Sequence, residues 1–577
     1  MASNLSTSTN GRGAASGIVT MMQAVAAAAT SATSSNTAPG TAANIALQSQ
    51  LEANVRVAQE FQDLQRRAHE LFTGLKDLPT TVSPKIWKPY FNRTFSVFTK
   101  LWKFQQANRA ALELEDCYGL KRHEVGEIAS KVGQLYYHYY LRTSDTGHLL
   151  EAYTFYEAIL DRHYFDDVMD TKIAYVAAKR LRYCARFMIV CMLLNRLDRV
   201  QVLVVEMKKL VDQFAKELDP DDKEGWRKTY REMAMFVEAL NDLPTDDQGR
   251  LCAIQPRAAS RENRSGKTMV HDVVIASCWP NQPRFSDLSI DMFRFLQLLE
   301  REPVKPQPDQ DDSDAPRKSL LNCPSASQII HHLGSSLRDI SSSQFLLFYY
   351  SGPGRLNGAP ASGGTATIPP SEAAMLGGLD TRPPGDDHVH RLHPYDLVPF
   401  TRKPFFCVLD SPAAPLFRKT PNLYTGTPFL FLCSPQEYPP SISGHAGTAS
   451  LFTAFLFHPV VGIASVCRLE RVAASGWAAA IEQAKDWEAA VVRYLQEHPL
   501  TPAFLHGILT DEFLARLVAR FVVCRVVLTH NTCFLKTTEL PCCHPDLSDT
   551  LWTDLEVLST EHLALTLGQL GCQDHFR

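Results

Sequence analysis

The sequence predicts an α-helical N-terminal array followed by an α/β domain with a short, mostly parallel, buried sheet. Two observations support this fold class. Apolar residues recur at helical spacing between residues 50 and 245. Three later runs are short, apolar throughout and end in turns: FLLFYY (345–350), FFCVL (405–409) and FLFLC (429–433). Such runs are typical of strands in a sheet that is covered on both faces.

The 577 residues exceed what one hydrophobic core usually accommodates, so more than one domain is expected. Residues 1–48 are rich in Ala, Ser and Thr and nearly uncharged, which predicts a disordered tail. We expect a helical domain at 50–245, a connecting segment at 246–285 and the α/β domain at 286–577. Within the last, the Gly/Pro/Ser-rich loop 352–392 is too long for a packed connection and is predicted to be mobile.

The helical domain is organised around the stretch 120–143. One apolar face recurs there at steps of three and four residues, namely Val125, Ile128, Val132, Leu135 and Tyr139. A second face carries Ala129, Gly133, Tyr136 and Tyr140. A helix that is apolar on two faces must be covered on two sides, and Gly133 would let a neighbouring helix approach closely.

The segment 124–160 contains residue types of a tetratricopeptide repeat, but the spacing does not fit. Ala152 lies 19 residues after Gly133, where that repeat needs about 12. We therefore predict irregularly stacked helix pairs. Further helices are predicted from Leu51, after Pro89, and at 148–160, 172–195, 198–217, 224–240, 286–300, 449–457, 476–496 and 502–527.

Composition excludes few classes of function. The 58 Lys and Arg against 62 Asp and Glu give a net charge of −4, so any contact with nucleic acid would depend on local patches. The 14 Cys are scattered, which indicates reduced thiols. The sequence contains no run of 18 apolar residues, so no transmembrane helix is predicted.

Two short motifs were weighed and favour ordinary loops. Gly266-Lys267-Thr268 matches the end of a phosphate-binding loop, but Arg261 stands where its first Gly is required. Cys533, Cys542, Cys543 and His544 lack the paired spacing of a structural zinc site. The sequence therefore predicts no cofactor and no metal.

A caspase-like or serine hydrolase is an alternative, because polar residues follow two predicted strands. Ser351 ends the first, Asp410 and Ser411 end the second, and His393 lies between them. A thiol nucleophile with an imidazole base is missing, since Cys407 lies inside a strand. We expect a protein that is not an enzyme, with the hydrolase as the less favoured alternative.

Basic residues are concentrated in two stretches, 85–122 and 172–209, and the second has the larger excess of positive charge. The stretch from Lys172 to Lys209 contains nine Lys and Arg and only two acidic residues. Such a face is usually solvated, and the alternative is a surface for an acidic partner or nucleic acid. The candidate partner-binding surface consists of Lys172, Lys179, Arg180, Arg182 and Arg186.

Several long blocks resemble the SCAI (suppressor of cancer cell invasion) family. They include WKPYFNRTFSVFTKLWKFQQANR (87–109), YGLKRHEVGEIASKVGQLYYHYYLRTSDT (118–146), KRLRYCARFMIVCMLLNRLD (179–198) and LHPYDLVPFTRKPFFCVLDS (392–411). The similarity spans roughly residues 60–530, with the blocks in the same order.

The resemblance implies a transcriptional corepressor without catalytic or metal residues. Members of this family bind myocardin-related transcription factors, restrain transcription driven by serum response factor in Rho signalling, and so limit cell migration. The resemblance also implies the nucleus, with a cytoplasmic pool. The alternative it leaves open is a chromatin-associated scaffold for DNA double-strand-break repair, whose partners would be chromatin repair proteins and whose direct contact with nucleic acid is uncertain.

Overall fold

A computed structural model describes residues 41–75, 78, 84–143, 146–165, 174–214, 220–240, 243–252, 254, 270–279, 282, 284–285, 288–299, 317–357, 376–381, 390–424, 426–442 and 449–577. The helices of the first part are α1 (Thr41–Gly74), α2 (Pro84–Ala107), α3 (Arg109–Glu113), α4 (Arg122–Thr143), α5 (Thr146–Asp161), α6 (Ala174–Leu193), α7 (Leu197–Phe214) and α8 (Pro220–Leu240). Helix α1 begins inside the stretch predicted as a disordered tail.

The described chain divides into two compact units. One comprises residues up to Tyr139 together with Glu151–Phe187, and the other comprises Tyr140–Leu150 together with Met188–Arg577. The divisions fall within α4, α5 and α6. The boundary predicted near residue 245 lies between α8 and the first strand, which begins at Val270.

Helix α4 is the buried centre of the first unit, as its two apolar faces predicted. Val125, Ile128, Val132, Leu135 and Tyr139 are each at most 6% exposed. The Tyr139 ring lies within 5.6 Å of the rings of Trp87, Phe91 and Phe95 on α2.

Gly133 makes the close helix contact that its position predicted. A Cβ atom there would lie 3.0 Å from two ring atoms of Tyr156 on α5. The Tyr156 ring is fully buried and contacts the rings of Tyr183 and Phe187 on α6. The absence of a side chain at Gly133 therefore sets the distance between α4 and α5.

The second unit contains the sheets. Their strands are β1 (Val270–Ser277), β2 (Arg284–Phe285), β3 (Leu288–Ser289), β4 (Arg317–Asn322), β5 (Phe345–Ser351), β6 (Gly354–Asn357), β7 (Leu376–Thr381), β8 (His390–Leu392), β9 (Phe405–Asp410), β10 (Phe429–Cys433) and β11 (Cys542–His544). The main sheet has the order β11-β10-β9-β5-β1-β4, and all neighbours are parallel except β10 and β11. The three predicted strands are β5, β9 and β10, which confirms a mostly parallel sheet.

Helices cover both faces of this sheet, as continuous apolar strands require. The helices described from residue 290 onward are α9 (Ile290–Leu299), α10 (Ala326–Asp339), α11 (Pro394–Leu397), α12 (Leu451–Phe457), α13 (Pro459–Cys467), α14 (Ala474–Glu497), α15 (Ala503–Leu509), α16 (Glu512–His530) and α17 (Asp549–Leu570), of which α9 and α10 pack directly on strands of the main sheet. On one face Phe295 of α9 stacks on Tyr349 at 4.1 Å. On the other face Leu333 of α10 belongs to the same core as Phe348 and Val274.

Strand β1 lies in the stretch predicted as a connecting segment, so the sheet begins earlier than expected. Its apolar pattern is interrupted by His271 and Asp272. Asp272 is buried and accepts two hydrogen bonds of 2.5 Å from the Arg317 guanidinium on the edge strand β4. The Asp272 carboxylate is tolerated within β1 because Arg317, on the neighbouring strand β4 of the sheet, supplies the opposite charge.

The segment 352–392 was predicted to be a mobile loop without secondary structure. Parts of it instead form a three-stranded antiparallel sheet, β6-β7-β8. Leu379 and Leu392 are fully buried, and Arg391 bonds to Asp380 at 3.1 Å. Glycine is required at Gly377, because a Cβ would lie 2.2 Å from a backbone oxygen of the adjacent strand. The rest of the loop lies outside the described residues.

The predicted helix at 502–527 is two helices, α15 and α16. Asp511 separates them, and its carboxylate accepts hydrogen bonds from the first-turn amides of Phe513 and Leu514. An Asp at that position caps a new helix, which ends the preceding one. Within the part of the chain that is described, no helix has the length and apolar character needed to cross a membrane.

Candidate functional site

Helix α6 presents the basic residues that were predicted to contact a partner. Its apolar residues fix its orientation: Val176, Leu181, Cys184, Phe187 and Met188 are buried in its packed face. The predicted members Lys179, Arg180, Arg182 and Arg186 lie between them on the helix. Lys172 lies outside the described residues.

Lys179 is largely committed to an ion pair inside the first unit. Its ammonium bonds to the carboxylate of Glu127 on α4, and its side chain is 10% exposed. Lys131 also pairs with Glu127, at 3.3 Å. Burial disfavours the charged carboxylate, but the ammonium groups of Lys131 and Lys179 outweigh it and keep the pKa of Glu127 below its ordinary value. Lys179 therefore ties α6 to α4.

Arg180 and Arg186 are also held against the rest of the protein, Arg180 by a hydrogen bond and Arg186 by partial burial. Arg180 Nη1 donates to the backbone oxygen of Phe165 at 3.2 Å. Arg186 is half-buried, and burial lowers the pKa of its guanidinium. Long basic side chains of this kind pack their stems against the helix and contribute to its position.

Arg182 is the exposed member of the four that are described. It lies one turn before Arg186 on α6, and the two like charges interact. The geometry thus narrows the predicted surface: Lys179, Arg180 and Arg186 support α6, and Arg182 extends into solvent. An acidic group of a partner would meet Arg182 first.

Sequence reasoning missed Glu127, which compensates the positive charge of this surface. A signal was present, because Glu127 and Lys131 are spaced by four residues, the spacing of ion pairs on a helix. The longer-range pairing with Lys179 has no local signature, since 52 residues separate the two.

The polar residues at the strand ends form a buried hydrogen-bonded cluster. Ser351 at the end of β5 donates to Asp291 at 2.7 Å, as does Gln282 at 2.6 Å. The backbone amide of Ser450 donates to the other carboxylate oxygen at 2.8 Å. Burial, together with the nearby Asp410 carboxylate, raises the pKa of Asp291.

The three residues of the hydrolase alternative are each held by other groups. Thr453 donates to Asp410 at 2.6 Å, and the amide of Ser411 donates to Ser434 at 2.9 Å. His393 Nδ1 lies 2.9 Å from the carbonyl oxygen of Gly377. Asp410 and Ser411 are both at most 1% exposed. The carboxyl ends of parallel strands are where ligands usually bind in such folds, and here side chains of the protein fill that place.

The cysteines considered above lie in the sheet or beside it. Cys407 and Cys433 are buried in strands β9 and β10, and burial raises the pKa of both thiols. Cys542 and Cys543 form the edge strand β11. No group of three or more His, Cys, Asp or Glu within the described ranges is arranged to hold a metal ion. Gly266-Lys267-Thr268 lies outside those ranges.

Comparisons with known proteins agree with the resemblance seen in the sequence. The sequence profile of the family described as Protein SCAI matches residues 63–534. The chain is 35% identical to the Protein SCAI of Mus musculus and to that of Homo sapiens, over 83% of this chain and 83% of each relative. It is 26% identical to the Protein SCAI homolog of Dictyostelium discoideum, over 90% of this chain and 91% of that protein.

Proposed function

Because this chain belongs to the SCAI family, we propose that it is a transcriptional corepressor and protein-interaction scaffold. It restrains transcription that myocardin-related transcription factors drive through serum response factor, and thereby cell migration. It acts in the nucleus, with a cytoplasmic pool. The observation that carries the proposal is the extent of the family match, which includes residues of both compact units.

The proposed mechanism is occupancy without catalysis. The first unit is held rigid by the buried helix α4 and presents Arg182 on the exterior of α6. An exposed guanidinium on a rigid helix suits an acidic segment of a transcription factor, because it can make charge-assisted hydrogen bonds with a carboxylate. Support for a non-catalytic mechanism comes from the strand ends, where Asp291 and Ser351 are bonded to each other.

The sharpest test changes Arg182 alone. A Lys179→Glu substitution would place a second carboxylate beside Glu127 and destabilise the first unit. The resulting loss of folding would be mistaken for loss of binding, so Lys179 is left unchanged. Arg182→Glu leaves these packed residues intact. Arg56→Glu on α1 is the matched control, because Arg56 is also an exposed helical arginine of the first unit.

We expect Arg182→Glu to weaken binding of the purified full chain to a myocardin-related transcription factor by about tenfold, in line with removal of one charge-assisted contact. Repression of a reporter driven by serum response factor should weaken with it, while Arg56→Glu behaves like the unchanged protein. Equal binding by both variants would refute Arg182 as a contact. Absence of any binding by the unchanged protein, with salt-dependent retention on duplex DNA instead, would favour the repair scaffold.

A further inference from the structure

The first unit contains a polar cavity that is separate from the face of α6. Its volume is about 240 Å³. Residues of α2, α3 and α4 line it together with the segment that follows α5. The charged residues of the lining are exposed to solvent, whereas Gln105 and Val125 are buried.

Arginine dominates the lining. Arg109, Arg122 and Arg162 contribute three guanidinium groups, and Glu113 contributes the one carboxylate among the residues that line the cavity. Arg109 Nε donates to Glu113 at 2.6 Å. The lining therefore carries a positive net charge, which attracts an anion.

Contacts within the protein hold these groups in place. Arg122 Nη2 donates to the backbone oxygen of Arg162 at 2.8 Å. Arg162 Nη1 donates to the Tyr164 hydroxyl oxygen at 3.2 Å. A guanidinium has five N–H donors in a rigid plane, so Arg109 and Arg162 each have more donors than the one bond described for them uses.

A buried amide completes the site. Gln105 is 3% exposed, and its side chain lines the cavity. Its side-chain amide carries two N–H donors that a bound group can use. A bound oxyanion would accept a hydrogen bond from its Nε2.

The volume limits what can bind. Pockets for small organic ligands usually exceed about 300 Å³, and one water occupies about 30 Å³ in the liquid. The cavity of about 240 Å³ therefore suits the headgroup of one side chain better than a nucleotide. Three arginines match a phosphate, which has three acceptor oxygens and a charge of about −2.

We propose that this cavity is a docking site for a single phosphorylated side chain, presented by a peptide segment of a partner protein. The phosphate accepts hydrogen bonds from Arg109 and Arg162, Arg122 adds positive charge, and the Gln105 amide donates from the floor of the cavity. Glu113 competes with the phosphate for Arg109. This site lies on residues that the proposed contact through Arg182 does not use, so either can fail without the other.

The probe is a fluorescein-labelled Gly/Ser peptide with one central phosphoserine, titrated against the full chain by fluorescence anisotropy. Arg109→Gln and Arg162→Gln should each weaken binding about tenfold, the effect of losing one hydrogen bond to a charged group. Glu113→Gln should tighten binding severalfold, because it removes the competing carboxylate. Lowering the pH below about 6 should weaken binding as the phosphate gains its second proton.

The matched control is Arg66→Gln on α1. Arg66 is an exposed arginine that pairs with Glu70 four residues away, as Arg109 pairs with Glu113. It should leave peptide binding unchanged. The Glu113→Gln variant keeps the test decisive if an arginine variant folds poorly, because its expected effect is a gain.

Three results would overturn the proposal. One is equal binding of the phosphoserine peptide and its unphosphorylated or glutamate counterpart. Another is competition by inorganic phosphate at the same concentration as an unlabelled phosphopeptide, which would make the cavity a site for the free anion. The third is equal weakening by Arg66→Gln and Arg109→Gln, which would indicate attraction by general charge.

Discussion

Replacing Gly133 by alanine tests the contact between α4 and α5 most directly. The added Cβ would lie 3.0 Å from two atoms of the Tyr156 ring and 3.2 Å from a third. Carbon atoms prefer separations of about 3.5–4.0 Å, so the ring must move by a few tenths of an ångström. Tyr156 is fully buried between the rings of Tyr183 and Phe187, so that movement has to displace them as well.

Two opposing free energies set the expected size of the effect. Overpacking in a well-packed core destabilises by about 1–3 kcal/mol. Replacing Gly by Ala inside a helix stabilises by about 1 kcal/mol. For Gly133→Ala the crowding should prevail, with a net loss of about 1–2 kcal/mol in the free energy of unfolding. Gly225→Ala on α8 is the matched control, because a Cβ there meets no atom within 4 Å.

The assay is urea unfolding followed by far-UV circular dichroism, with hydrogen exchange of the α4 amides to assign the change to the first unit. Gly225→Ala should raise stability by about 1 kcal/mol while Gly133→Ala lowers it. Tyr156→Leu should relieve the crowding, so the two substitutions together should destabilise less than their sum. If Gly133→Ala stabilised the protein as much as Gly225→Ala does, the close contact would be refuted.

Two buried ion pairs in the second unit yield further predictions. Arg317→Ala leaves the buried Asp272 carboxylate without its cation and should reduce stability by about 3–5 kcal/mol at pH 7, measured by urea unfolding. Burial disfavours the charged carboxylate, but His271 and Arg317 outweigh it and lower the pKa of Asp272, so the pair stabilises above the ordinary carboxyl pKa. The difference between the two proteins should therefore shrink as the pH falls below about 4, and a constant difference would contradict this reasoning. Arg520→Met should destabilise by a similar 3–5 kcal/mol, because Glu488 on α14 loses its nearer cation at 2.9 Å and keeps only Arg516, at 3.9 Å, among the ion pairs described. The carbonyl oxygens of Leu456 and Phe457 also lose a donor. Adding Glu488→Leu should therefore recover part of the loss in thermal unfolding, and no recovery would contradict the cost assigned to the carboxylate.

Local pattern was sufficient for the elements whose side chains are uniformly apolar. Strands β5, β9 and β10 could be predicted because each is a continuous apolar run, and α4 because both its faces repeat at helical spacing. Strand β1 could not, because His271 and Asp272 interrupt its pattern. Asp272 is compatible with a buried strand through Arg317, which lies 45 residues later. Pattern analysis compares residues within about 18 positions of each other, so it does not detect the pairing of Asp272 with Arg317.

The same limit applies to the basic surface. The sequence shows the positive charges of α6, but their exposure depends on groups elsewhere in the chain. Lys179 is paired with Glu127, 52 residues before it, and Arg180 with a backbone oxygen 15 residues before it. The cavity with Gln105 has no sequence signature at all, because it requires four segments to meet. Its arginines are exposed surface residues that only the packing of the helices brings together.

The order of strands in the main sheet determines how the sheet grows during synthesis. Strand β1 is made first, β4 and β5 then add to its two sides, and β9, β10 and β11 follow in succession on one edge. The start of β9 at Phe405 follows Ser351 by 54 residues, a gap that a ribosome translates in roughly 3–11 s. During that interval the apolar strand FLLFYY has an open edge, and open apolar edges pair with other chains. The edge of β10 stays open for longer still, because its neighbour β11 begins at Cys542, 109 residues after Cys433. The nascent protein is therefore exposed to aggregation over two intervals, while residues 352–404 and residues 434–541 are being made.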